Sequence, residues 1–173
     1  MEIKNLKLSG LIEISPKLLG DDRGYFFESY NEGAFKALGI RAHFVQDNQS
    51  YSKTGVLRGL HFQKNLWAQA KLVRVIRGRV LDVVVDLRRE SPTYLQHEKV
   101  ELSSVKNNML WVPRGMAHGF VALEDSIFFY KCDNFYCKEA ETGVRWDDPT
   151  LNIDWGIVDP IVSAKDQALP CLD

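Results

Sequence analysis

The stretch GVLRGLHFQ, residues 55–63, reads as a strand in which Arg58 and His61 interrupt an apolar run. Residues three apart on a regular strand point to opposite faces. Gly59 stands between them, and a glycine inside a strand often marks a bulge, which adds one residue and re-aims the side chains beyond it. With a bulge there, Arg58 and His61 enter one cavity. A neutral imidazole suits general-base chemistry when a carboxylate fixes its tautomer, and the sequence offers several aspartates among which spacing does not choose. Two more residues fit a proton-transfer site. Tyr130, in SIFFYKC, has a phenol that can donate a proton or hold an oxyanion; Lys71, at the head of KLVRVI, has a cation that can stabilise an enolate. Each also has an ordinary reading: a structural histidine, a packed aromatic, a solvated strand-end lysine.

Small jelly-roll barrels often hold iron, manganese or zinc with clustered histidines and a carboxylate. Here Gln63 occupies the position two after His61 where a second histidine is expected, and His43, His97 and His118 are scattered. Only His118, in MAHGF, is a serious partner, so a metal-free site is favoured. The three cysteines, Cys132, Cys137 and Cys171, are odd in number and lack C-x-x-C spacing, which predicts free thiols rather than disulfides or a zinc site.

The elements that must position these groups are short strands. KLVRVI (71–76) and VLDVVVDL (80–87) flank Arg77-Gly78, a hairpin pattern with both strands largely buried. MLWVP (109–113), GFVAL (119–123) and SIFFYKC (126–132) continue it, with Glu124-Asp125 as the tight connection between the last two. Alternation groups Phe128, Tyr130 and Cys132 against Ile127, Phe129 and Lys131, and sets Lys71 in a row with Val73 and Val75, without saying which face is interior. One short helix is predicted around 31–39, ending at Gly39. Many short strands with frequent turns predict an all-β sandwich or barrel of jelly-roll type; the absence of crossover helices excludes a parallel α/β fold.

With 173 residues and no repeat or linker, the chain is expected to be a single domain, 1–173. Hydrophobic residues make up 45% and charged residues 26%, and no apolar stretch approaches the length of a membrane span. The amino terminus, MEIKNLKLSGLIEISP, lacks the apolar core of a signal peptide, which predicts a cytoplasmic protein. With 22 basic and 23 acidic residues the net charge is -1, which supplies no global field for nucleic acid, although a few arginines can still hold a small anion.

Several ordered blocks carry a family resemblance: GDDRGYFFESYN (20–31), FVQDNQS (44–50), GVLRGLHFQ (55–63), QAKLVRVIRG (69–78), DVVVDLRRESPTY (82–94), LWVPRGMAHGF (110–120), FFYKCDNFY (128–136), GVRWDDPTLNIDW (143–155) and SAKD (163–166). In these the chain closely resembles the dTDP-4-dehydrorhamnose 3,5-epimerases, which convert dTDP-4-keto-6-deoxyglucose into the keto precursor of dTDP-rhamnose. The resemblance implies a cupin-type β-sandwich, a homodimer, no metal and no redox cofactor. It implies that His61 is the base at C3 and C5, Asp166 the carboxylate that orients it, Tyr130 the acid on the opposite ring face, and Lys71 the residue near the C4 oxygen. It implies that Arg23 and Arg58 hold the pyrophosphate, that Glu28, Gln46, Asp47 and Asn48 contact the thymidine end, and that Tyr136 stacks on thymine. His118, Glu141 and Lys165 match further substrate-contact positions, and the region around Arg23 and Glu28 is expected to reach into a neighbouring subunit. Two positions depart from the family pattern: Gln49, where many members have histidine, and Leu66-Trp67, where relatives are usually more polar. Three rivals stand beside double epimerisation: epimerisation at C3 only, a non-catalytic nucleotide-sugar-binding cupin, and a metal-dependent cupin oxygenase.

Overall fold

A computed structural model describes residues 1–172. Fourteen strands and two short helices succeed one another as β1 (Glu2–Asn5), β2 (Ile12–Ser15), β3 (Leu19–Asp21), β4 (Gly24–Phe26), α1 (Glu32–Ala37), β5 (Gln46–Ser52), β6 (Val56–Gln63), β7 (Lys71–Arg77), β8 (Arg79–Asp86), β9 (His97–Ser103), β10 (Met109–Val112), β11 (Met116–Ala122), β12 (Ser126–Cys132), β13 (Glu141–Gly143), β14 (Ile161–Val162) and α2 (Ala164–Gln167). One sheet runs β1-β2-β10-β7-β12-β5 and the other β13-β6-β11-β8-β9, with β14 added in parallel to β6; β3 and β4 form a separate hairpin. This is a cupin-like jelly-roll sandwich, the fold class the strand pattern predicts.

The interior between the sheets is closed by Val73, Val75, Val80, Val84, Leu102, Leu110, Phe120 and Phe128. The second sheet is covered on its outer face as well, where Leu57, Leu60, Val83, Val85 and Val121 meet Val144, Leu151 and Trp155 of the C-terminal segment. A strand buried on both faces reads as a continuous apolar run, which accounts for VLDVVVD in β8. The outer face of the first sheet is covered in part by α1, whose Phe35 packs with Ile14, Ile40, Leu72 and Met109. That helix is capped by Asn31, whose side chain accepts from the Ala34 N–H at 3.0 Å, and Gly39 lies just beyond it at φ +85°.

One expectation is corrected. Strands 71–77 and 79–86 do not form a hairpin: β7 pairs with β10 and β12, whereas β8 pairs with β11 and β9 in the opposite sheet. The turn at Gly78 is a corner between sheets, and so is the Glu124-Asp125 turn from β11 to β12. The two corners pack on each other: Ser126 Oγ takes the Arg79 N–H at 3.1 Å, and a Cβ on Gly78 would collide with the Asp125 carbonyl oxygen. Period-two strands around a glycine turn look alike whether the chain folds back in plane or crosses to the facing layer.

Candidate active site

Strand β6 carries the bulge that the sequence suggests. Its register with β11 pairs Arg58 with Phe120 and His61 with His118, so Gly59 and Leu60 together face Gly119 alone. Gly59 lies at φ +131°, and a Cβ there would stand 2.5 Å from Gly119 Cα; a Cβ on Gly119 would stand 2.6 Å from the Arg58 carbonyl oxygen. Only paired glycines let the two backbones approach this closely. The consequence is that Arg58 and His61 both line one cavity of about 380 Å³.

That cavity lies between the two sheets. His61 and His118 come from β6 and β11, while Lys71, Tyr130 and Asn48 come from β7, β12 and β5 of the other sheet. The inward row of β12 is Phe128, Tyr130 and Cys132, with Phe128 and Cys132 both 1% exposed. Lys71 lies at the cavity end of its row with Val73 and Val75. An adjoining lobe of about 380 Å³ shares Asn48, His61, Lys71, Tyr130 and Glu141 and adds Gln46, Gln63 and Tyr136.

His61 is fixed by Asp166, whose Oδ1 stands 2.7 Å from Nε2. The aspartate is buried, and its other oxygen accepts from the Gly59 N–H at 3.3 Å. Burial opposes its charge, but the contacts with His61 and the Gly59 amide outweigh burial and hold the carboxyl below its usual range. The sequence brings Asp166 here in two steps: β14 runs parallel to the start of β6, and Ser163 then caps α2 by accepting the Asp166 N–H at 3.1 Å. The tail is tied down by the Leu172 N–H, which donates to Asp148 at 2.6 Å.

A second histidine–carboxylate pair forms the floor. His118 Nε2 lies 3.0 and 2.9 Å from the two oxygens of Asp82, which is fully buried. Burial pushes the Asp82 carboxyl up, with His118 and Lys71 pulling the other way. Sequence reasoning missed Asp82, although an acid between Val80 and Val84 on one row of β8 was a usable signal. Burial likewise pushes the Lys71 amine down from its ordinary value, opposed by Cys132, Asp82 and Glu141. The Tyr130 phenol is pushed up to about 12, first by burial and then by the charges of Cys132 and Glu141. It therefore remains a protonated donor at neutral pH, with Lys71 Nζ 5.8 Å from its ring centre.

Other expected residues are placed unequally. Glu141 accepts from the Tyr136 hydroxyl at 2.8 Å and from Lys165 Nζ at 2.6 Å, so these three form one chain at the mouth. Arg58 donates to Ser52 Oγ and to the Tyr51 carbonyl. Asp47 is exposed on the opposite face of β5 from Asn48 and pairs with Lys131 at 2.9 Å. Arg23 sits in the turn of the β3–β4 hairpin, exposed and paired with Asp21, and Glu28 accepts from Asn31 Nδ2 at 3.2 Å. Neither lines the His61 cavity of its own chain. Among the described residues, no three His, Cys, Asp or Glu side chains cluster as a metal site.

The arrangement offers a base held by a carboxylate on one wall, a protonated phenol on the facing wall and an amine between neighbouring strands. A family model described as dTDP-4-dehydrorhamnose 3,5-epimerase matches residues 5–173. The chain belongs to that family. A dTDP-4-dehydrorhamnose 3,5-epimerase from Salmonella typhimurium is 50% identical over 92% of this chain and 89% of its own. The structure of the Legionella pneumophila epimerase in complex with dTDP-4-keto-L-rhamnose is 43% identical, with a TM-score of 0.94 over 98% of this chain and 92% of the other. A 3'-monoepimerase from Streptomyces bikiniensis in complex with dTDP-quinovose is 32% identical, with a TM-score of 0.90 over 96% and 85%. Family membership makes the protein a carbohydrate epimerase, and the last likeness places double and single epimerases on one fold.

Proposed function

We propose that this single-domain chain, 1–173, epimerises dTDP-4-keto-6-deoxy-D-glucose at C3 and C5 to dTDP-4-dehydro-L-rhamnose, for dTDP-rhamnose biosynthesis. One observation carries the reading: the His61–Asp166 pair and the Tyr130 phenol stand on facing sheets of one cavity. Each C–H to be broken lies beside the C4 ketone, so its removal leaves an enolate whose charge sits on the C4 oxygen. His61 takes the proton, with Asp166 stabilising the imidazolium. Lys71 stabilises the C4 oxyanion, and Tyr130 returns a proton from the other face, which inverts the carbon. Returning the proton to the face it left regenerates the substrate, so the facing walls are the chemical requirement.

Arg58 holds the pyrophosphate as a planar donor. Gln46, Asn48 and Tyr136 receive the thymidine end, and His118, Glu141 and Lys165 complete the wall. The exposed Leu18, Leu19, Tyr25 and Phe26 around the β3–β4 hairpin support a homodimer in which Arg23 and Glu28 reach the partner subunit's cavity. Asp47 serves the nucleotide end only if it leaves Lys131. Among the described residues no helix is long and apolar enough to cross a membrane; we place the enzyme in the cytoplasm, with no membrane or nucleic-acid partner and no cofactor. Proton NMR of the substrate in D2O tests the reading. Deuterium entering at both C3 and C5, with a coupled reductase giving dTDP-rhamnose, is expected. Exchange at C3 alone makes it a mono-epimerase, and no exchange at either carbon overturns the enzyme reading.

A further inference from the structure

Gln63 is buried, and both of its N–H donors and its carbonyl oxygen are engaged. Its Nε2 donates to the Trp67 carbonyl at 2.8 Å and to the Phe135 carbonyl at 3.1 Å, while its Oε1 accepts from the Cys137 N–H at 2.6 Å. The neighbouring amide is held in the same way from the other sheet: Gln46 Oε1 accepts the Tyr136 N–H at 3.0 Å. Two glutamine side chains, one from β5 and one from β6, therefore fix consecutive peptide groups on either side of Tyr136. The segment is also anchored further back, where Gln69 Nε2 donates to the Asn134 carbonyl at 2.7 Å and Asn134 Nδ2 donates to the Leu66 carbonyl at 2.9 Å, but the peptide groups flanking Tyr136 are held by the two glutamines. Tyr136 is half-exposed, and its hydroxyl meets only Glu141. A buried amide serving three backbone groups is costly to disturb, because each loses the partner it has among the described residues when the side chain goes.

We propose that Gln63 is a positioning residue for nucleotide recognition, acting as half of a two-glutamine clamp that sets the Tyr136 ring as the shelf for the nucleoside base. It sits where a metal-binding cupin would place a histidine, and here that position is committed to backbone carbonyls and an N–H. The clamp serves binding rather than proton transfer, since it holds the loop carrying Tyr136 and, among the described residues, makes no hydrogen bond to His61 or Tyr130. The inference rests on the reading that Tyr136 faces the base.

The test is calorimetric binding of dTDP together with steady-state kinetics on dTDP-4-keto-6-deoxyglucose, for Gln63→Met, Tyr136→Ala and the double variant. Gln63→Met is expected to weaken dTDP and raise KM about tenfold, with kcat at saturating substrate unchanged. The double variant is expected to be no weaker than Tyr136→Ala alone, since the two residues act through one contact. Gln63→Asn keeps the carbonyl oxygen and both N–H donors on a side chain one methylene shorter. It should lose less, and it provides the measurement if the Met variant does not fold. Unchanged dTDP affinity in the Gln63 variants, a fall in kcat that matches the rise in KM, or additive losses in the double variant would overturn the clamp while leaving the base shelf intact. Unchanged affinity in Tyr136→Ala would remove the shelf, and the clamp with it.

Discussion

The two histidine–carboxylate pairs use the same chemical groups at two depths of one sandwich. His61 is 28% exposed to the cavity and meets one oxygen of Asp166, whose other oxygen is taken by a backbone amide. His118 is 7% exposed and faces both oxygens of an aspartate with no exposure at all. The first pair can exchange a proton with a molecule in the cavity and recover it from solvent. The second lies deeper, on the floor of the same cavity beside the stacked Phe128 and Phe120 rings, whose centres are 4.3 Å apart, and its Asp82 is one of the charges that act on Lys71. On the proposed mechanism, what suits one pair to act as a base and the other as a floor is solvent access and the division of the carboxylate's hydrogen bonds, not residue identity.

The largest effect should come from the exposed pair. His61→Ala is expected to lower epimerisation by about 10²–10⁴-fold or more and to stop deuterium entry at both carbons, while dTDP binding is retained. Kinetics and calorimetry on one preparation check this. Equal loss of binding and turnover would make His61 a contact residue and remove the contrast with His118.

Tyr130→Phe should sharpen the comparison from the facing wall. The base remains, so C3 deuterium exchange continues through His61, but no proton arrives from the opposite side. Inversion is expected to fall by about 10²–10⁴-fold relative to exchange. Inversion and exchange falling together would point to a phenol that supports enolate formation rather than delivering the second proton. Because burial holds that phenol at about 12, the wild-type pH–rate profile should show no tyrosine limb at or near neutral pH.

How much of this was legible in the sequence differs residue by residue. The bulge at Gly59 was readable, since an arginine and a histidine three apart share a cavity only if the strand gains a residue between them. The strand pattern around Gly78 was readable as strand, turn and strand. It was not readable as a crossing between sheets, because that depends on which neighbours pair. Asp166 lies 105 positions from its histidine, so only the SAKD block pointed to it. Asp82 hid in an apolar strand because an interior acid looks like an interruption until its partner on β11 is known. Arg23 and Glu28 stand apart from the cavity of their own chain, a placement that agrees with the reach into a neighbouring subunit that the family resemblance implies and that residue types and spacing alone do not encode.

The smallest effect separates the pairs by sign. Asp166 is held below the ordinary carboxyl value of about 3.9, so its contribution to stability is present above that value and is lost as pH falls through the lowered one. Asp82 is held above it by burial, so its contribution is present below the ordinary value and is lost as pH rises through the raised one. Denaturant unfolding of Asp166→Asn and Asp82→Asn across the acid range should therefore give opposite trends. The Asp166 variant should lose most against wild type at neutral pH and close the gap in acid, and the Asp82 variant should close its gap as pH rises. Each trend amounts to about 1.4 kcal/mol per tenfold change in proton affinity. If both variants trend the same way, the carboxylates share one environment, and the division between an accessible pair and a buried floor does not hold.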